Sequence, residues 1–285
     1  MARPDVGDTL PAMIAEQSGR LRDKPLITMY DDLTGARTEL SYATADNWAS
    51  KTANLLVEEF DIDPGATVAI DLTGHWTTVA VALACWKVGA AVHCDGGSAG
   101  SALMCCHESR VGDHADGPLV VVGDGLRADP VEPVAPRDGL VLLGEDVHVY
   151  ADDYDDPEVT GAAPAIASSA KVLDQTMVLA RAAAWRDVLG DQPRVAVAAP
   201  IDTPAALALL AGVMLAGGSI VAQRPAPTDA PWPRWTSERV TAVAGTAGGV
   251  GDAPDGVAVV DLDLGAADLG ADLGADDLAA ADRAG

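Results

Sequence analysis

TADNWASKTANLLVEEFDIDPGATVAIDLTGHWTTVAVALACWKVGAAVHC, residues 44–94, holds two helix patterns and two strand patterns in alternation. Ala49, Ala53, Leu56 and Phe60 recur at i, i+4, i+7 and i+11, which places them on one face of a helix from about Thr44 to Phe60. Asp63-Pro64-Gly65 stops that helix, and the β-branched run from Thr67 to Leu72 predicts a strand. After the loop Thr73-Gly74-His75, the residues Trp76, Val79, Ala80, Leu83 and Trp86 mark a second helix. Its intervening positions are apolar too, so it is expected to be buried nearly all round. Gly89 closes it, and Ala91 to Cys94 reads as the next strand. Strands alternating with helices through short glycine-containing loops imply parallel pairing, because parallel neighbours need a crossover.

The same alternation extends in both directions. Upstream, Leu10, Met13, Ile14 and Gln17 suggest a short amphipathic helix ended by Ser18-Gly19, and Pro25 to Tyr30 pairs with Thr38 to Tyr42 as a hairpin across Asp32-Leu33-Thr34-Gly35. Downstream, Asp95 to Ser101 is expected to lead into a further helical stretch, followed by a strand at Leu119 to Val122. Seven acids and no Lys or Arg lie between Glu145 and Glu158, which reads as a solvated connection. Beyond it, Leu173, Met177, Ala180, Ala184 and Val188 are expected to line one helix face. Strands follow at Arg194 to Pro200, Ser219 to Gln223 and Glu238 to Gly245, with a helix from Pro204 to Ala216 between the first two. The fold class expected is therefore a three-layer α/β domain over residues 1–262, with mostly parallel sheet and helices on both faces. The acidic 145–164 connection would join two lobes of it. Residues 263–285 repeat Leu-Gly-Ala-Asp-like units and read as an acidic low-complexity tail; their Asp spacing matches no EF-hand loop.

Composition narrows the function classes. Of 285 residues, 43 are Asp or Glu and 18 are Lys or Arg, for a formal charge of -25. Nucleic acid is excluded as a general partner, because phosphate neutralisation needs the opposite sign. The hydrophobic fraction of 49% is too high for a disordered acidic chain. Asp outnumbers Glu by 34 to 9, and only 4 of the bases are Lys. That bias fits a halophilic cytoplasm, where salt screens the self-repulsion, or a GC-rich genome. The opening residues carry Asp5 and Asp8 and no apolar export core, so a cytoplasmic location is expected. Membrane insertion is not expected either, since Gly217-Gly218-Ser219 interrupts the one long uncharged stretch, Thr203 to Gln223.

Several residues invite a chemical reading. Cys85, Cys94, Cys105 and Cys106 show no CxxC pairing and are expected to be reduced, buried thiols. His93, Cys94, Cys105, Cys106 and His107 are the residue types that bind zinc but lack a ligand spacing, so no metal site is assigned. The loop Gly96-Gly97-Ser98-Ala99-Gly100-Ser101, read as lying between a strand and a helix, could offer Gly96, Gly97, Ser98 and Gly100 to an anion, though it fits neither GxGxxG nor a P-loop. His75 stands just beyond a strand end, a favoured place for sites in open sheets, yet no paired Ser, Cys or carboxylate is visible beside it. It is read as a surface or helix-start residue.

Residues Pro25 to His93 resemble the opening of the adenylate-forming superfamily, the acyl-CoA synthetases and their AMP-binding relatives. The resemblance rests on LTGARTELSYATADNWASKTANLLVE (33–58), DPGATVAIDLTGHW (63–76) and VALACWKVGAAV (81–92). RVAVAAP (194–200), LLAGVMLAGGSIVAQ (209–223) and SERVTAVAGT (237–246) extend it more weakly. The family holds ATP phosphates with a Ser/Thr/Gly-rich loop followed by Lys. The equivalent here is AIASSAKVLD (165–174), in which Ser168, Ser169 and Lys171 stand as ligand-binding remnants without any glycine. Read without the resemblance, Ser168 or Ser169 would cap a helix beginning at Lys171. The family's Tyr-Gly-x-Thr-Glu segment, ribose-binding Asp and lysine-bearing small domain have no counterpart in the sequence, so the resemblance implies a truncated member holding the front portion of the scaffold.

The function expected is a non-catalytic, synthetase-like module that binds a small molecule or a protein partner. A diverged acyl-CoA synthetase, an AMP-forming acid-thiol ligase alone or completed by a partner chain, is the alternative. No catalytic residue is assigned and no cofactor is required; ATP, AMP or CoA could bind, but no intact motif supports it. The charge of -25 makes salt the first test. If the acidity is a salt adaptation, the Tm should climb steeply from dilute buffer into molar KCl, and a flat Tm over that range contradicts it.

Overall fold

A computed structural model describes residues 8–261, apart from 96, 98, 99, 115, 155–158 and 246–252. Two sheets form the frame. The first contains β1 (Pro25–Asp31), β2 (Ala36–Ser41), β10 (Arg194–Val197), β11 (Ser219–Arg224), β12 (Ala242–Gly245) and β13 (Ala258–Asp261), in the order β13-β12-β10-β11-β1-β2. The second contains β3 (Thr67–Asp71), β4 (Ala91–His93), β5 (Leu103–His107), β6 (Leu119–Val122), β7 (Leu140–Leu142), β8 (Pro164–Ala167) and β9 (Val172–Asp174), ordered β7-β6-β5-β3-β4-β8-β9. Only the hairpin edges are antiparallel, β1 with β2 and β8 with β9; all other pairs are parallel. Strands from both sides of the 145–164 connection share each sheet.

Helices α2 (Tyr42–Phe60), α3 (Thr77–Val88), α5 (Gln175–Leu189) and α6 (Pro204–Leu215) pack against the sheets, α1 (Leu10–Leu21) packs on α2, α3 and α6, and α4 (Leu143–Asp146) and α7 (Trp232–Ser237) are short. Every residue of α3 is buried, as its all-round apolar sequence requires. Gly89 ends α3 with φ of +80°, and a Cβ there would lie 2.9 Å from Val159 Cγ2, so both backbone and space call for glycine. Ser41 caps α2 by accepting from the Thr44 amide.

Four expectations need correction. Helix α1 continues through Ser18 and Gly19 to Leu21, because Gly19 faces open space and Arg20 donates back to Gln17 across one turn. The stretch after Ser101 is not helical: Leu103–His107 is a buried strand paired between β3 and β6, and its alternation sends Cys105 and Cys106 into different apolar clusters on opposite faces. Helix α5 buries Gln175, Val178 and Ala182, while Met177 and Ala180 are exposed; Leu173 lies on β9 and never belonged to the helical stripe. The acidic connection is in part anchored. Val147 is buried, Lys51 Nζ donates to the Tyr150 carbonyl at 2.6 Å and pairs with Asp152, and Asn54 donates to the carbonyls of Ala151 and Asp153. The tail at 263–285 lies outside the described residues.

Gln175, with no exposed surface, ties three helices together. Its Oε1 accepts from the Leu10 amide at 3.0 Å, and its Nε2 donates to the Trp86 carbonyl at 3.2 Å. Trp86 in turn donates its Nε1 hydrogen to the Ala165 carbonyl on β8 at 2.9 Å. Gln175→Leu orphans the buried Leu10 amide, while the Trp86 carbonyl keeps the Gly89 amide at 3.2 Å, and should cost about 1–3 kcal/mol in denaturant unfolding; stability unchanged in the variant contradicts this role for Gln175. All four cysteines are free, and burial pushes the Cys85 and Cys106 thiols up to about 12. Thiol titration without reductant should find four groups in denaturant and almost none reacting quickly in the native protein; a smaller count restored by reductant would indicate a disulfide.

Candidate functional site

The carboxyl ends of β1, β3, β5, β6 and β11 meet where the two sheets come together, and the polar residues there follow directly on apolar strands. Asp31 closes β1, His107 closes β5, Arg224 closes β11, Asp124 stands two residues past β6, and His75 lies in the loop after β3. This is the edge at which open α/β sheets place ligands. Gly123 makes the turn into Asp124 feasible: the chain folds back so closely that a Cβ would sit 2.3 Å from Pro130 Cα.

Arg224 is the centre of the cluster, only 2% exposed. Its Nη2 donates both to Asp31, on its own sheet, and to Asp124, on the other. Burial opposes the charge on Asp124, but hydrogen bonds from Arg224 and His107 outweigh it and hold that carboxyl below the usual carboxylate range. His107 Nε2 lies 3.0 Å from Asp124 Oδ1, while its Nδ1 accepts from the Ser109 amide at 3.2 Å and lies 2.8 Å from the Ser109 hydroxyl. An amide can only donate, so Nδ1 is unprotonated and the ring proton sits on Nε2, directed at Asp124.

His75 is buried beside this cluster, its ring centroid 6.1 Å from that of His107. Burial, reinforced by Arg224 and His107, lowers its pKa to about 3, so it is neutral at physiological pH. Its Nδ1 is 2.9 Å from the Thr77 hydroxyl and accepts the Thr77 amide at the start of α3. It is thus the helix-start residue expected, and not a surface one. Asp202 accepts from the neighbouring Gly74 amide at 2.8 Å, and burial raises its carboxyl pKa.

A cavity of about 490 Å³ opens beside His107, Ser109 and Asp124, with Val111, Val131 and Val134 on its apolar side. His107, Glu108 and Asp124 also bring potential metal-ligand atoms within 4.8 Å of one another. The carboxylates, however, are already engaged: Glu108 accepts from the amides of Asp124, Val131 and Glu132, and Asp124 from Arg224 and His107. His93, Cys94 and Cys105 take no part in that group.

The remnant residues adopt a different arrangement. Ser168, Ser169 and Lys171 form the tight turn of the β8–β9 hairpin, and the helix behind it is capped by Asp174, which accepts from the Met177 amide at 2.7 Å. The expected Ser168 or Ser169 helix cap is not formed, because β9 intervenes before α5 begins. Every amide in the turn is already used. Ser168 donates to the Lys171 carbonyl, Ser169 donates to the Asp95 carboxylate, and Ala170 and Lys171 both donate to Ser168 Oγ. In the proposed anion loop, Gly96 and Ser98 fall outside the described residues; Gly97 and Gly100 precede strand β5, so among the described residues the loop leads into a strand and not into the helix N-terminus on which that reading depends.

Comparison with known proteins places this frame. Residues 14–94 match the AMP-binding enzyme family. A family protein of Mycobacterium tuberculosis strain H37Rv is 42% identical over 100 residues, 35% of this chain and 41% of its own length. The Brucella canis acyl-CoA synthetase superposes with a TM-score of 0.73 at 15% identity, covering 87% of this chain and 49% of that one. A Mycobacterium tuberculosis fatty acyl CoA synthetase superposes at 0.65 with 16% identity, over 85% and 50% of the two chains. The chain spans about half the length of these relatives or less. Residues 14–94 carry the AMP-binding enzyme pattern, and the two-sheet frame is that of the N-terminal part of the acyl-CoA synthetases.

Proposed function

We propose that this chain is an acyl-CoA-synthetase-like binding module that does not form acyl-adenylates, and that its ligand seat is the cavity at the strand ends beside His107 and Asp124. The observation that carries the reading is the state of the 168–171 turn. A loop that cradles a triphosphate offers unpaired backbone amides to the phosphate oxygens. Here all four amides are spent within the protein, and the Ser169 amide faces the Asp95 carboxylate, whose negative charge opposes a phosphate. Opening the turn would break these bonds, and the overall charge of -25 adds a repulsive field against ATP.

The cavity supports the binding half of the reading. An apolar wall ending in a few convergent polar groups is the usual composition of a small-molecule seat. Pyrophosphate exchange into ATP with a panel of carboxylic acids is the test. The chain should give no substrate-dependent exchange, and calorimetry should find no ATP binding at millimolar nucleotide. Exchange that depends on the acid and disappears in Lys171→Ala would instead establish a diverged acid-thiol ligase.

A further inference from the structure

We propose that Ser109, His107 and Asp124 form a hydrolytic site at the cavity wall that cleaves uncharged, short-chain carboxylic esters. This rests on the cavity's being the ligand seat and adds chemistry to it. The three residues are in the relation that activates a serine: a hydroxyl 2.8 Å from an unprotonated imidazole nitrogen, and that ring's other nitrogen 3.0 Å from a carboxylate. Ser109 is exposed and lines the cavity, while His107 is 5% exposed and held by the chain turn below it. Capping of the turn explains the Ser109 amide bond to Nδ1. It requires neither the half-buried Asp124 carboxylate on the far side of the ring nor the opening of the hydroxyl onto a cavity.

The chemistry balances with water alone. Ser109 Oγ attacks the ester carbonyl carbon while its proton passes to His107 Nδ1, giving a tetrahedral adduct and an imidazolium facing ionised Asp124. Collapse of the adduct breaks the bond to the alcohol oxygen, which leaves with the proton from Nδ1. Water, deprotonated by the same nitrogen, then cleaves the Ser109 acyl ester, releasing the carboxylic acid and restoring the hydroxyl. The substrate class follows from the walls: Val111, Val131 and Val134 suit a short apolar acyl chain, and Glu108, Asp124 and Glu132 disfavour an anionic ester. Asp124 is a positioning residue, since it acts through His107.

The full chain is to be treated with p-nitrophenyl butyrate, and separately with a fluorophosphonate followed by peptide mapping. Hydrolysis should saturate and the label should map to Ser109; Ser109→Ala should lose the label and about 100-fold or more of kcat/KM, and His107→Asn likewise. Asp124→Asn should lower kcat while leaving KM for the ester unchanged. Ser109 is exposed, so its alanine variant reports on folded protein, and labelling of the unaltered chain needs no variant. Label on another serine, no label, or hydrolysis undiminished in Ser109→Ala overturns the proposal. Calorimetry with p-nitrophenyl butyl ether separates the two readings: binding heat without label leaves the cavity as a seat and removes the chemistry, whereas no heat and no label removes both.

Discussion

One buried guanidinium holds the two sheets in register at their functional edge. Arg224 ends β11 and reaches Asp31 on the adjacent strand, while the same nitrogen reaches Asp124 beyond β6 of the other sheet. A charge this buried is tolerated only when paired, and removing one partner of such a group commonly costs about 3–5 kcal/mol. Two of its nitrogens, Nε and Nη1, have no protein partner among the described residues. The arrangement therefore depends strongly on the two carboxylates. From it the rest of the site follows in order: Arg224 fixes Asp124, Asp124 fixes the His107 ring, and the ring sets where the Ser109 hydroxyl stands against the cavity.

Much of the frame was legible because its signals are local. The 3.6-residue stripe of α2, the all-apolar α3, the Pro-Gly turn and the Gly89 stop each declare themselves within a few residues, and each is found in place. Errors arose where local and tertiary signals conflict. LMCCH is a short apolar run without periodicity, so it fits a buried strand as well as a helix, and pairing with both β3 and β6 decides the matter. The apolar stripe that the sequence offers for α5 includes Leu173, which lies on β9, whereas the helix phase is set by Gln175 and its bonds to Leu10 and Trp86.

The site was far less legible, for a physical reason. Its members come from positions 31, 107, 109, 124 and 224, and no short motif joins residues that only the sheet topology assembles. A weak signal did exist: His107-Glu108-Ser109 and Gly123-Asp124 are polar groups placed immediately after apolar runs, where strand ends present side chains to a cleft. The helical reading of the stretch after Ser101 hides it. The 168–171 turn presents the reverse case. Its residue types suggest a phosphate contact, and the hydrogen bonds show where those groups are actually spent.

Asp124, anchored by Arg224, fixes the orientation and tautomer of His107. Ring 15N chemical shifts of His107 in the full chain at neutral pH measure this directly. The ring should show a protonated, pyrrole-type Nε2 and an unprotonated, pyridine-type Nδ1, with Asp124→Asn perturbing both. A proton resident on Nδ1, or shifts unchanged in Asp124→Asn, would contradict it.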